Sequence, residues 1–149
     1  MGQEPNRISV CLETLLDSVN LAEGIAERVA KAAGFGEDDC QKISMAVREG
    51  VINAVRYGNE EQRHKRIDLL FEVRPSKFVV HIVDEGRGFD LATVPDPLAE
   101  ENLLKTSGRG IFLMRTFMDE FDVRRSPHGG TELIMAKRLP CIQRSARGN

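Results

Sequence analysis

The chain has 149 residues, of which 41% are hydrophobic, and its 21 basic and 23 acidic residues give a formal net charge of −2. This length fits one compact domain, and the hydrophobic share excludes an intrinsically disordered chain. The balanced charge argues against direct nucleic-acid binding, which needs a strongly basic face.

The N-terminal segment and the cysteines indicate the compartment in which the chain works. Residues 1–7 are polar and lack the apolar core of a signal peptide. No apolar run reaches the length of a membrane-spanning helix, so no membrane partner is expected. Cys11, Cys40 and Cys141 are odd in number and widely spaced, which argues against a disulfide framework or a zinc site. Together these features predict a cytoplasmic protein.

The first half of the chain predicts one strand followed by two amphipathic helices. Apolar and polar residues alternate over residues 7–12, as they do in a strand. Apolar residues then recur at helical spacing over residues 15–29. Two glycines end this first helix. The second helix begins at the acidic residues 37–39, which suit a helix N-terminus. It carries apolar residues at steps of four and is expected to end at Gly58 and Asn59.

The second half of the chain predicts mainly strands. Four runs of β-forming residues stand out: 67–73, 78–83, 120–125 and 131–139. A third helix is expected from about Gly110 to Asp119. Because alternating strand–helix–strand units are missing, the pattern predicts an α+β fold, a two-layer α/β sandwich whose mixed or antiparallel sheet has helices on one face. This domain would span residues 7–139, between flexible ends at residues 1–6 and 140–149.

Glu49 and Asn53 form the first candidate site. They lie four residues apart on the second helix, so their side chains project roughly 40° apart, on the same side. They flank the apolar stripe of that helix, where a polar pair can border a cleft. The alternative is a solvated helix flank, which is the commoner situation for such residues.

Two glycine-containing segments form further candidates. The predicted strand 78–83 runs into Asp84, followed by Gly86 and Gly88, which allow a ligand to approach the main chain. Gly108 and Gly110 begin the third helix, where free N–H groups favour phosphate. A simple turn and a flexible hinge are the respective alternatives. The common P-loop and dinucleotide-binding glycine patterns do not occur in the sequence.

The segment 91–107 is unusually long for a connection without regular structure in so small a domain. Long connections of this kind are commonly functional lids or disordered segments. Its position between the two glycine-containing segments favours a lid.

Taken in order, these segments resemble the motifs of the GHKL ATPases, the superfamily of gyrase and the histidine kinases. Residues 49–54 look like the E-x-x-x-N-A box, and residues 84–89 look like the D-x-G-x-G-F box. Residues 107–111 resemble the second glycine box, and residues 130–133 the closing G-T box. Segments 101–105 and 108–119 are most similar to the stand-alone anti-sigma-factor serine/threonine kinases. The resemblance implies the Bergerat ATP-binding fold.

The resemblance also implies a role for each matching residue in binding the nucleotide base. Asp84 would accept a hydrogen bond from the adenine amino group, and Thr131 would support that carboxylate directly or through water. Gly86 and Gly88 would let the base and ribose lie against the backbone.

Other matching residues would act at the phosphate end of the site. Asn53 would help to hold Mg²⁺, and Glu49 would be the general base toward a protein hydroxyl group. Lys105, in the lid, would approach the γ-phosphate. The phosphates would be cradled by the amides of Gly108, Arg109 and Gly110. ATP and Mg²⁺ are therefore the implied cofactors.

The resemblance implies a partner-switching protein kinase. Such a protein binds a sigma factor, phosphorylates an anti-anti-sigma antagonist protein and is often a homodimer. An alternative is a non-catalytic protein that binds ATP and sequesters a sigma factor or another regulator, although this role needs no base at Glu49. A histidine-kinase catalytic domain is less well supported, because neither His64, His81 nor His128 lies in a dimerisation helix. His81 is instead interpreted as a core or sheet-face histidine.

Overall fold

The computed structural model describes residues 6–86 and 108–140, which form a five-stranded sheet and three α-helices. The strands are β1 (Asn6–Glu13), β2 (Arg66–Val73), β3 (Lys77–Asp84), β4 (Glu120–Arg125) and β5 (Thr131–Arg138). The helices are α1 (Leu16–Ala32), α2 (Glu37–Asn53) and α3 (Gly108–Phe117). A π-helical turn, Ala54–Gly58, follows α2 directly.

The strand order is β1-β2-β3-β5-β4, and every neighbouring pair is antiparallel. Strand β3 is therefore central, and its last residue, Asp84, is the register partner of Ile67 on β2. On its other side, Val83 pairs with Glu132 of β5. Because β3 lies between β2 and β5, its last residue has a strand on each side, and the Asp84 side chain is buried.

Alternation along the strands divides the sheet into a helix-covered face and an open face. Phe78, Val80 and Ile82 of β3 are buried in the core cluster with residues of all three helices. Helix α2 packs between α1 and α3. It approaches the sheet closely at Gly50, where an added Cβ would lie 2.5 Å from Ile82 Cδ1. The glycine thus brings the helix that carries Glu49 and Asn53 close to the sheet.

The open face carries a charged cluster around Glu72, whose side chain is only 4% exposed. Arg74 Nη2 lies 2.7 Å and Arg7 Nε 3.0 Å from its carboxylate oxygens. His81 lies on the same face, with Nε2 3.3 Å from Glu72 and Nδ1 2.8 Å from Glu132. Burial acts to raise the pKa of Glu72, but the hydrogen bonds from Arg74 and His81 outweigh it and lower the pKa. The interpretation of His81 as a sheet-face histidine agrees with this position.

The predicted fold class is confirmed, and the sheet is antiparallel within the described ranges. The second helix differs in detail: it is α-helical only to Asn53, and the π turn replaces its expected last turn. Helix α3 begins at Gly108, two residues earlier than expected, and ends at Phe117.

Several expectations fall on parts of the chain outside the described residues. The proposed lid at 91–107, with Lys105, lies there, as do Gly88, Cys141 and nearly all of both terminal segments. Cys11 and Cys40 are free thiols. Among the described helices, none has the length and apolar content needed to cross a bilayer.

Candidate functional site

Asp84 is the centre of the candidate site, because it is a buried carboxylate at the end of the central strand. It is 7% exposed. Its Oδ1 accepts hydrogen bonds from the backbone N–H groups of Gly86, at 3.0 Å, and Thr131, at 3.1 Å. No hydrogen bond from a described residue reaches Oδ2. One carboxylate oxygen is thus held by the backbone, and within the described residues the other keeps its capacity to accept a hydrogen bond.

Three glycines enclose Asp84 so closely that none of them could carry a side chain without a shift. A Cβ at Gly58 would overlap Asp84 Oδ2, and a Cβ at Gly86 would overlap the carbonyl oxygen of Gly58. A Cβ at Gly130 would overlap the carbonyl oxygen of Asp84 itself. The backbones of the π turn, the segment after β3 and the start of β5 therefore meet around one carboxylate.

Burial raises the pKa of Asp84, and this effect exceeds the opposing influence of the two backbone hydrogen bonds and the charge of Lys65. The raised pKa determines how the stability of the ligand-free chain depends on pH. Because the folded chain holds this proton more strongly than the unfolded chain, the contribution of Asp84 to the free energy of unfolding decreases as pH rises through the interval between the two pKa values.

If Asp84 accepts the adenine amino group, as the resemblance implies, its raised pKa predicts that ATP affinity falls on acidification at a higher pH than it would with an aspartate of ordinary pKa. A protonated Asp84 has lost the charge that makes it a strong acceptor for an amino group. Calorimetric titration of ATP against pH is the measurement, with Asp84→Asn as the control. Protonation of the nucleotide is common to both proteins and cancels in the comparison. Parallel pH profiles for the two proteins would contradict the prediction.

A separate prediction is that Asp84→Asn weakens ATP binding by about 1.5–3 kcal/mol, as measured by the same calorimetry.

Glu49 and Asn53 are both partly buried on α2, one helical turn apart. The Asn53 Oδ1 atom is buried and has no hydrogen-bond partner among the described residues. A buried amide oxygen without a donor suits a hard cation such as Mg²⁺, which takes oxygen ligands. Within residues 6–86 and 108–140, no group of three or more His, Cys, Asp or Glu side chains could hold a metal alone. Asn53 therefore fits a cation that arrives with phosphate oxygens and water.

The π turn connects the Asn53 end of α2 to Asp84. It begins directly after Asn53 and ends at Gly58, which contacts the Asp84 carboxylate. The following residue, Asn59, accepts a 2.8 Å hydrogen bond from the backbone N–H of Glu85. The chain thus brings Asn53, the predicted Mg²⁺ ligand, and Asp84, the predicted acceptor for the adenine amino group, to the same end of the domain.

The glycines at the start of α3 lie on the helix that packs against α2. Gly108 is the first residue of this helix, Arg109 is exposed and Gly110 is buried. Met114, one turn further along, would lie 3.6 Å from a Cβ at Gly50. This packing places α3 beside the Glu49–Asn53 segment, as a phosphate-binding role requires.

The sequence pattern identified part of this arrangement and missed part. Thr131 supports Asp84 directly, through its backbone N–H, so the contact does not depend on the identity of its side chain. The sequence predicts only a helix end at Gly58 and Asn59 and assigns neither residue a role in the site. A glycine placed five residues after the motif asparagine was the available signal, but its partner is distant in sequence.

Comparison with known proteins gives one family and several similar chains. Residues 12–137 match the histidine kinase-like ATPase domain. The chain is 33% identical to the serine-protein kinase RsbW of Staphylococcus aureus over 144 residues, which covers 92% of this chain and 89% of the relative. It is 31% identical to RsbW of Bacillus subtilis over 117 residues, covering 74% and 72%. The Listeria innocua RsbW is 25% identical over 143 residues, covering 92% and 90%.

Proposed function

Since this chain belongs to the family of histidine kinase-like ATPase domains, we propose that it is an ATP-dependent protein serine/threonine kinase. In this proposal it is an anti-sigma factor, which binds a sigma factor and phosphorylates an anti-anti-sigma antagonist protein. The naming of its relatives as serine-protein kinases supports the proposed reaction. A homodimer and a cytoplasmic location belong to the same proposal.

The environment of Asp84 is the observation that carries the proposal. Two backbone N–H groups occupy Oδ1, and Oδ2 lies against Gly58, where no bulky side chain intervenes. A buried carboxylate is costly unless a donor satisfies it. The exocyclic amino group of adenine is such a donor, whereas the carbonyl oxygen of guanine at the same ring position would be repelled. This site therefore favours ATP over GTP.

The other site residues have proposed roles in transferring the phosphoryl group. Mg²⁺, when bound with the nucleotide, neutralises phosphate charge, and Asn53 would supply one oxygen ligand. Glu49 would accept the proton of the attacking serine or threonine hydroxyl. The new O–P bond forms as the bond between the γ-phosphorus and its bridging oxygen breaks, releasing ADP. The backbone amides of residues 108–110 would bind the phosphates, and Gly88 and Lys105 would complete the nucleotide site.

Incubation with labelled ATP, Mg²⁺ and candidate antagonist proteins from the same genome tests the function. We expect label on a serine or threonine of one antagonist, dependent on Mg²⁺ and absent when this chain is omitted. If the chain binds ATP and a sigma factor but labels no protein, it is a non-catalytic anti-sigma protein. If it does not bind ATP, the assignment of the Asp84 site is wrong.

A further inference from the structure

Asn59 is a polar residue that is completely buried, at 0% exposure, next to the candidate nucleotide site. Its side chain forms three hydrogen bonds to three different segments. Nδ2 donates to Thr14 Oγ1 at 2.7 Å and to the carbonyl oxygen of Arg66 at 3.1 Å. Oδ1 accepts from the Glu85 N–H at 2.8 Å. Thr14 and Glu85 are 45 and 26 positions away in the sequence, and Arg66 is 7 positions away.

The orientation of this amide follows from the chemistry of its partners. Thr14 Oγ1 donates its own proton to the carbonyl oxygen of Lys65, at 2.7 Å, so it can only accept from Asn59. The Arg66 carbonyl is likewise an acceptor, and the Glu85 N–H is a donor. Only an amide matches this set, because it presents two donors on one side and an acceptor on the other.

The two sides of Asn59 lead to the two oxygens of Asp84. The Glu85 N–H that it holds belongs to the peptide between Asp84 and Glu85, and the next N–H, of Gly86, donates to Oδ1. Gly58, which precedes Asn59 in the chain, lies against Oδ2. The Asn59 N–H also donates to the Ala54 carbonyl at 2.8 Å, which anchors this residue to the π turn.

From this geometry we propose that Asn59 is a positioning residue for recognition of the nucleotide base. It fixes the position of the Glu85 peptide relative to Gly58, so that Asp84 presents Oδ2 to the adenine amino group. The inference rests on the proposed ATP site and adds a residue that sets its selectivity. Asn59 does not touch the nucleotide in this mechanism. Its effect passes through the Glu85 backbone.

Thr14→Val provides a matched control for Asn59→Ala. The change is nearly isosteric, and it removes a partner of the same buried network, so it lowers stability as well. It leaves the Asn59–Glu85 hydrogen bond in place. A purely structural network predicts similar consequences for both variants, whereas a positioning role predicts that only Asn59→Ala affects selectivity.

The experiment measures dissociation constants for ATP and GTP by calorimetry, at a temperature where circular dichroism shows every variant folded. We expect Asn59→Ala to lower the ratio of GTP to ATP dissociation constants about tenfold, the size expected for loss of one hydrogen bond to a polar group. Thr14→Val should change this ratio less than about threefold. Exchange of the Glu85 amide, followed by NMR, should accelerate in Asn59→Ala only. If Asn59→Ala does not fold, Asn59→Ser replaces it, since its shorter side chain also gives up the Glu85 contact.

Two results would overturn the inference while leaving the proposed function intact. In the first, the Asn59 variant keeps the selectivity of the wild type. In the second, Thr14→Val loses as much selectivity as Asn59→Ala. A wild-type protein that binds ATP and GTP equally would refute the proposed adenine site itself, and the inference with it.

Discussion

Glu49→Gln is expected to keep ATP affinity within about twofold of the wild type and to slow phosphorylation of the antagonist protein at least roughly a hundredfold. Glutamine has nearly the shape of glutamate, so the packing of this partly buried position on α2 is preserved. It is a much poorer proton acceptor, and a serine hydroxyl is a weak nucleophile until its proton can leave. Single-turnover phosphorylation at saturating ATP measures the effect.

Asn53→Ala is the companion variant that separates the two roles on α2. Removing the buried Oδ1 should weaken Mg²⁺-dependent nucleotide binding together with activity. The proposed roles therefore give different patterns: Glu49→Gln affects the rate alone, and Asn53→Ala affects both binding and rate. Phosphorylation by Glu49→Gln at the wild-type rate would show that Glu49 is not the base.

Gly58→Ala is expected to weaken ATP binding about ten- to a hundredfold, the range that corresponds to losing a hydrogen bond to a charged group. The added methyl group would overlap Asp84 Oδ2, so the carboxylate must turn away from the base. The free energy of unfolding should also fall by about 1–3 kcal/mol, as for other overpacked sites. Calorimetry and denaturant unfolding measure the two quantities.

Gly24→Ala is the matched control for this substitution. Gly24 lies within α1 with no atom within 4 Å of an added Cβ, so the same change should stabilise the helix by up to about 1 kcal/mol. Alanine also favours helical backbone at Gly58, whose φ lies outside the left-handed region. Any loss there must therefore come from the contact with Asp84. Unchanged ATP affinity in a folded Gly58→Ala variant would contradict the close packing around this carboxylate.

The parts of the fold that depend on local sequence could be predicted, because hydrophobic period distinguishes helix from strand. The five strands and the first helix lie within a few residues of their expected positions. The π turn was not predicted, because the series of apolar residues at steps of four extends into it as far as Val55 and suggests a regular helix.

The candidate site was predictable as a set of motif residues but not as a packed environment. Asp84 ends a recognisable strand, and glycines follow it. The roles of Gly58 and Asn59 depend instead on which backbone approaches them, and the Asn59–Glu85 hydrogen bond joins residues 26 positions apart. Periodicity carries no information about such contacts, so the sequence alone could not predict which backbone groups surround Asp84.

The groups around Asp84 come from segments far apart in the sequence, so nucleotide binding is coupled to the folding of the whole domain. The Thr131 N–H that supports Asp84 comes from 47 residues further along, and Gly58 comes from before β2. Partial unfolding of any of these segments dismantles the acceptor, so the unfolded chain cannot bind the base in this way. A nucleotide at a hundred times its dissociation constant would add about 2.7 kcal/mol to the folding equilibrium. Under the proposed function, cellular ATP would then govern how long this protein resists proteolysis, in addition to serving as its phosphoryl donor.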